Sequence, residues 1–138
     1  MENRYTKGSE WRKWDLHVHT KRTKKNDQFK SKNCNDFCVT LFQKALENGI
    51  AAIGITDYFN INNYTKVKEF VSNIESCTDF NNEEKKQIKR IFILPNVELR
   101  MLPVTDSGRL VIIHCWFIPV TETSWEITFF DQFKYFLE

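Results

Sequence analysis

The run Ile50-Ala-Ala-Ile-Gly-Ile-Thr56 constrains this chain more than any other stretch. It is apolar without alternation and of strand length, which fits a strand covered on both faces, as in a parallel sheet. It follows directly on Asn48-Gly49, a helix stop in which glycine tolerates the left-handed conformation. Upstream, Asn35 or Asp36 caps a helix that runs to Asn48. Its residues Phe37, Leu41 and Ala45 lie beside Cys38, Phe42 and Leu46 in two adjacent i, i+4 rows, one buried stripe. A helix that stops and delivers the chain into a doubly covered strand is half of a β-α-β unit.

The rest of the chain extends that pattern. Residues 1–12 are a polar lead-in, 13–20 read as the first strand, and 21–34 as a Lys/Asn/Ser-rich loop. Residues 63–76 are expected to be helical, with Tyr64, Val67, Phe70, Val71 and Ile74 on one side. Asn81-Asn82-Glu83-Glu84 begins a short polar helix. Residues 91–98 give a strand interrupted at Pro95, 109–118 a strongly apolar strand, and 128–138 a further helix with Phe129, Phe130, Phe133 and Phe136 at helical spacing. The order β-α-β-α-(α)-β-β-α argues an α/β architecture with mostly parallel strands in a single domain. Neither an internal repeat nor a low-complexity segment is present.

Composition narrows the class. With 41% hydrophobic and 28% charged residues the chain is an ordinary globular sequence, and no apolar run approaches the roughly 20 residues of a membrane span. The first ten residues lack an apolar core, so no secretory signal is expected and the expected location is cytoplasmic. Cys34, Cys38, Cys77 and Cys115 form no Cys-x-x-Cys pair and are read as reduced and structural. Net charge is only +2, yet residues 1–33 hold ten Lys/Arg against four Asp/Glu. The densest stretch, Lys21-Arg22-Thr23-Lys24-Lys25, is a solvated loop on the plain reading and an electropositive rim for phosphates on the sharper one.

Three histidines occur in the chain, two of them in Asp15-Leu-His-Val-His-Thr20 and the third, His114, in an apolar run. On a regular strand Asp15, His17 and His19 share one face, and Trp14, Leu16 and Val18 the other. Two imidazoles so placed can grip one metal ion. Alone, a His-x-His pair is weak and His114 reads as a hydrogen-bonded core residue. In α/β folds, however, ligands gather beyond the carboxyl ends of strands, and His17/His19, Asp57 and Glu98 all fall near such ends. Glu98 is placed to bridge ions, or merely to pair with Arg100. His114 can hold a second ion, and Asp57 can ligate, orient an imidazole or cap the following turn.

Taken in order, Asp15-Leu-His-Val-His-Thr20, Gly54-Ile-Thr-Asp-Tyr58, Asn96-Val-Glu-Leu99 and Ile113-His114 resemble the N-terminal part of a PHP domain, the polymerase and histidinol phosphatase superfamily. The lead-in Gly8-Ser-Glu-Trp-Arg-Lys-Trp14 is also similar to the start of bacterial PHP domains joined to an SMC-like ATPase. The resemblance implies a distorted (β/α)7 barrel and a metal-dependent phosphoesterase that uses Mn or Zn. It implies His17 and His19 as ligands of one metal, Glu98 as the bridging carboxylate and His114 as a ligand of a second. Glu98 and Asp57 are the catalytic candidates, and Lys21, Arg22, Lys24, Lys25 and Arg100 the phosphate binders. The resemblance implies a two- or three-metal site; Tyr58 stands where the family often has histidine, and a phenol is a poor ligand at neutral pH, so two sites are expected and the third is in doubt.

The family's late ligands have no counterpart after His114, so residues 13–138 are expected to be the first part of an incomplete barrel. Three functional readings follow. The first is hydrolysis of a phosphate mono- or diester by a metal-activated water, with nucleic acid or a nucleotide as the substrate class that the ATPase-linked resemblance implies. The second is a non-catalytic PHP remnant that docks a partner, such as the ATPase domain or a completing chain. The third is a nucleic-acid-binding module using the basic N-terminal third, with strongly salt-dependent binding. Open sheet edges in a half-barrel would favour a homo-oligomer.

Overall fold

A computed structural model describes residues 11–21, 29–31, 33–102 and 104–116. The lead-in at 1–10, the basic residues Arg22, Lys24 and Lys25, and the helix expected at 128–138 lie outside the described residues. Four strands, β1 (Lys13–His19), β2 (Ile50–Tyr58), β3 (Phe92–Met101) and β4 (Val111–Trp116), form one curled sheet in the order β1-β2-β3-β4. β1, β2 and β3 are mutually parallel, and β4 returns antiparallel to β3. The sheet is therefore mixed, as the short link from β3 to β4 requires, because a parallel return needs a crossover of a dozen residues or more.

Among the described residues three helices accompany it: α1 (Cys34–Asn48), α2 (Asn62–Ser72) and α3 (Asn82–Ile88), with one 3-10 turn at Ile74–Ser76. α1 begins earlier than expected, because the Asn33 side chain accepts from the Asp36 backbone N–H (2.9 Å) and so caps it. It ends at Gly49, whose φ of 64° is the left-handed stop read from the sequence. α3 opens on a capping box formed by Asn81 and Glu84.

All three helices lie on one face of the sheet. There Phe37, Phe42, Tyr64, Val67, Ile74 and Ile88 bury against Ile53, Ile55, Ile93 and Val97. Each fully buried side chain of this size stabilises the fold by about 1.5–3 kcal/mol. The opposite face carries Thr56, Tyr58, Asn96, Glu98 and His114. Three of these, Thr56, Asn96 and Glu98, are nearly inaccessible although polar. β3 runs through Pro95 without the expected break, because the described β3–β4 register starts at Asn96 opposite Trp116 and leaves Pro95 at its end.

β1 departs from a regular strand. Its register on β2 jumps from Asp15↔Ile53 to Val18↔Ile55, so Leu16 and His17 stand against Gly54 alone. This is a bulge, and it re-aims side chains. Asp15 is consequently not on the histidine face. It lines a groove with Val18, Ile53 and the α1 residues Leu41 and Lys44, on the helix side. The bulge also turns the Leu16 carbonyl over the polar face, where Asn96 Nδ2 (2.9 Å) and Trp116 Nε1 (3.1 Å) donate to it.

Gly54 makes this approach possible, since a Cβ there would meet the Leu16 carbonyl oxygen at 2.4 Å, a backbone atom that cannot swing away. Gly54→Ala should lower the unfolding free energy by about 2–3 kcal/mol, the cost of overpacking a rigid site, as read by urea titration. An unchanged midpoint would show that β1 does not press on Gly54.

Candidate metal centre

The polar face becomes a site at the carboxyl ends of β1, β2 and β3. His17 and His19 straddle the end of the β1 bulge, and β3 brings in Glu98. His17 Nε2 lies 3.1 Å from His19 Nε2, and Glu98 Oε2 lies 3.7 Å and 3.4 Å from the two nitrogens. Three lone-pair-bearing atoms thus converge, and hydrogens on the imidazoles can satisfy only part of that crowding. Ligands held at about 2.0–2.2 Å around a tetrahedral ion lie about 3.3–3.6 Å apart. The observed separations centre on that range, so the cluster can bind a metal ion. Glu98 is almost fully buried, His19 mostly so, and the His17 side chain is 51% exposed, which leaves one flank open to a ligand from solvent.

The remaining parts of Glu98 are spoken for. Arg100 Nε donates to Glu98 Oε1 (3.1 Å), and an Arg100 terminal nitrogen donates to the Tyr58 hydroxyl (3.2 Å). The guanidinium also sits 4.9 Å from the Tyr58 ring centroid, a cation–π contact. Glu98 in turn holds the Arg100 guanidinium above its usual value, chiefly through that hydrogen bond. Arg100 is thereby a partner of the carboxylate, aligning it so that only Oε2 faces the imidazoles. Tyr58, at the position where a histidine was expected by resemblance, stacks on the His19 ring (5.2 Å between centroids, 24°) and fixes its plane. His19 Nδ1 is buried with no hydrogen-bond partner among the described residues.

His114 stands directly opposite Glu98 in the β3–β4 register, with its ring 4.4 Å from that of His17. Its nitrogens are not part of the three-residue cluster. Burial, and then the neighbouring His17, hold its pKa below the ordinary imidazole value, so the ring favours its neutral form.

Asp57 faces the other way. It is buried on the helix side, where its carboxylate accepts from the Asn63 backbone N–H (2.8 Å) and from the Asn63 side-chain amide. α2 lacks a side-chain cap from its own preceding residue, and Asp57 supplies one from β2. Lys21 donates to the Phe29 carbonyl (2.8 Å). Arg22, Lys24 and Lys25 lie outside the described residues, so of the five proposed phosphate binders only Lys21 and Arg100 can be placed.

Two contributors carried no role in the sequence reading. Asn96 and Trp116 sit two residues from Glu98 and His114 on the same faces, a strand-alternation signal that was available. What was not available was the Leu16 carbonyl they both bind. No family model, no curated protein and no solved structure matches this chain.

Burial pushes the Asp57 carboxyl above the usual range, against the opposing pull of Asn63. A raised folded-state pKa means the contribution is full below the unfolded value, near 3.9, and is lost as pH rises through the folded value. Asp57→Ala should destabilise the protein by about 1–2 kcal/mol through loss of the cap. The gap from wild type should narrow as pH rises from the unfolded value through the raised folded-state value. Metal affinity should stay unchanged in the folded variant. A variant as stable as wild type but unable to hold metal would place Asp57 in the centre instead.

Proposed function

We propose that the chain carries a divalent-metal centre for phosphoester hydrolysis, of the PHP kind that its motifs resemble. The observation that supports this most is the convergence of His17 Nε2, His19 Nε2 and Glu98 Oε2 within 3.1–3.7 Å at the open end of the strands. A mixed imidazole–carboxylate donor set suits Zn or Mn. When bound, such an ion supplies an activated water and polarises a phosphoryl oxygen.

The chain's own groups do the rest. Tyr58 and the β1 bulge hold the imidazole planes. Arg100 fixes Glu98 by its hydrogen bond and sets a positive charge beside the buried carboxyl group. The half-exposed His17 leaves the approach open on one side. The substrate class is a phosphate mono- or diester, with nucleic acid or a nucleotide favoured by the similarity of the lead-in to ATPase-linked PHP domains. The expectation of a second ion on His114 is not carried into this proposal, since His114 stands outside the three-atom cluster.

Stripping the protein with a chelator and titrating Mn or Zn while following thermal unfolding and turnover of a generic aryl phosphodiester tests this directly. Metal at about 100 times its Kd should add about 2.7 kcal/mol of stability. Glu98→Gln and His17→Ala should each weaken binding by at least about 100-fold, more than the loss of an outer-shell partner, and abolish metal-dependent turnover. Metal binding without turnover of mono- or diesters would favour the non-catalytic docking reading. Absence of binding would end the proposal.

A further inference from the structure

We propose that residues 128–138 pack as a helix against the helix-side face of β3 and β4, which α1, α2 and α3 leave open. The register defines that face. Val97 stands opposite Cys115, Leu99 opposite Ile113 and Met101 opposite Val111. Val97 belongs to the core under the helices. Side chains alternate along a strand, so Leu99, Met101, Val111, Ile113 and Cys115 continue its side of the sheet. Cover fades along that row. Val97 is fully buried, Leu99 is partly buried against the core, and Met101, Val111 and Ile113 are 44%, 40% and 40% exposed. None of the five is a charged residue type. An apolar strip at the end of a helix layer is a surface for one more apolar element.

The chain itself supplies such an element. At helical spacing Phe129, Phe130, Phe133, Phe136 and Leu137 fall within one arc of about 120°. Asp131, Gln132, Lys134 and Glu138 fall on the opposite arc. A helix over 128–138 is about 16 Å long, and a strand the length of β4 is about 20 Å, so one stripe matches one strip. Residues 117–127 are long enough to reverse the chain after β4, since strand–helix connections commonly take about 2–6 residues.

Chemistry selects this face over the opposite one. The other side of β4 presents Ile112 and Trp116 beside Glu98, Arg100 and His114. A stripe of phenyl rings and one leucine has no polar atom to answer Arg100 or Glu98, and laying it there would set charge against hydrocarbon. The helix side asks only for apolar contact. If β4 of a second copy took the strip, the phenylalanine stripe of each chain would still lack cover.

Cys115 lies in the strip and reports on its cover. Iodoacetamide alkylation of the full chain, read thiol by thiol by mass spectrometry, should modify Cys115 at least about tenfold faster in Phe133→Asp than in wild type, because thiol reactivity follows access. Cys38, fully buried on α1, should stay unmodified in both, which shows that the fold survives. Equal Cys115 rates with Cys38 protected overturn the proposal. If Phe133→Asp exposes Cys38, disulfide trapping decides instead. Mild oxidation of Phe130→Cys, Phe133→Cys and Phe136→Cys, made singly, should join at least one of them to Cys115 within one chain. Asp131→Cys and Lys134→Cys, from the opposite arc, should not join. Absence of any intrachain bond from the stripe, or equal yields from both arcs, overturns the inference. Bonds formed only between chains assign the strip to a second copy and overturn it likewise.

Discussion

One backbone oxygen, that of Leu16, organises the polar face of the sheet. It projects over the sheet because β1 bulges by one residue, and it fits there because Gly54 has no side chain. Once there, it demands donors, since a buried carbonyl without partners costs as much as a lost hydrogen bond. Asn96 and Trp116 meet that demand from β3 and β4. Three strands are thereby locked in register around a point that no side-chain packing determines. The same bulge brings His17 and His19 to bear on a common point and turns Asp15 to the helix side.

The face so organised is costly. Thr56, Asn96 and Glu98 are buried, and burial of polar groups is unfavourable unless each finds a partner. Most of the requirement is met internally. Glu98 is matched by Arg100, Arg100 by Tyr58, and Asn96 by Leu16 and Thr56. Among the described residues the exceptions are two buried atoms, His19 Nδ1 and Asn96 Oδ1, together with the crowding of lone pairs at Nε2 of both β1 histidines and Oε2 of Glu98. Among the described residues these atoms lie on the face that α1, α2 and α3 do not cover, as a candidate ligand site would. The helix side shows the contrast: there a buried carboxylate, Asp57, is consumed by capping α2.

Much of the fold was legible in the residues. Strand-length apolar runs, the Asn48-Gly49 stop and the Asn81–Glu84 box mark β2, α1 and α3 because hydrophobic period and capping chemistry act locally. The site was legible in outline for a similar reason: histidines and carboxylates at strand ends of an α/β chain converge at one rim. Other particulars stayed open or were missed. Asp57 could ligate or cap on the sequence alone, and its helix-facing place on β2 makes it a cap for α2. Arg100 stood open between binding phosphate and pairing with Glu98, and strand alternation along β3 sets it beside Glu98. Pro95 looked like a break, yet it falls at the edge of the β3–β4 register.

The sequence by itself placed the candidate residues on the elements that deliver them: His17 and His19 on β1, Glu98 on β3, His114 on β4. Local periodicity and strand-end placement suffice for that. Only the tertiary structure decided how the groups divide their work. The β1 bulge depends on a pairing with Gly54 some forty residues away. The orientation of the Asn96 amide depends on a carbonyl 80 residues upstream. Such relations arise from contacts between strands, and no window along the chain contains both partners.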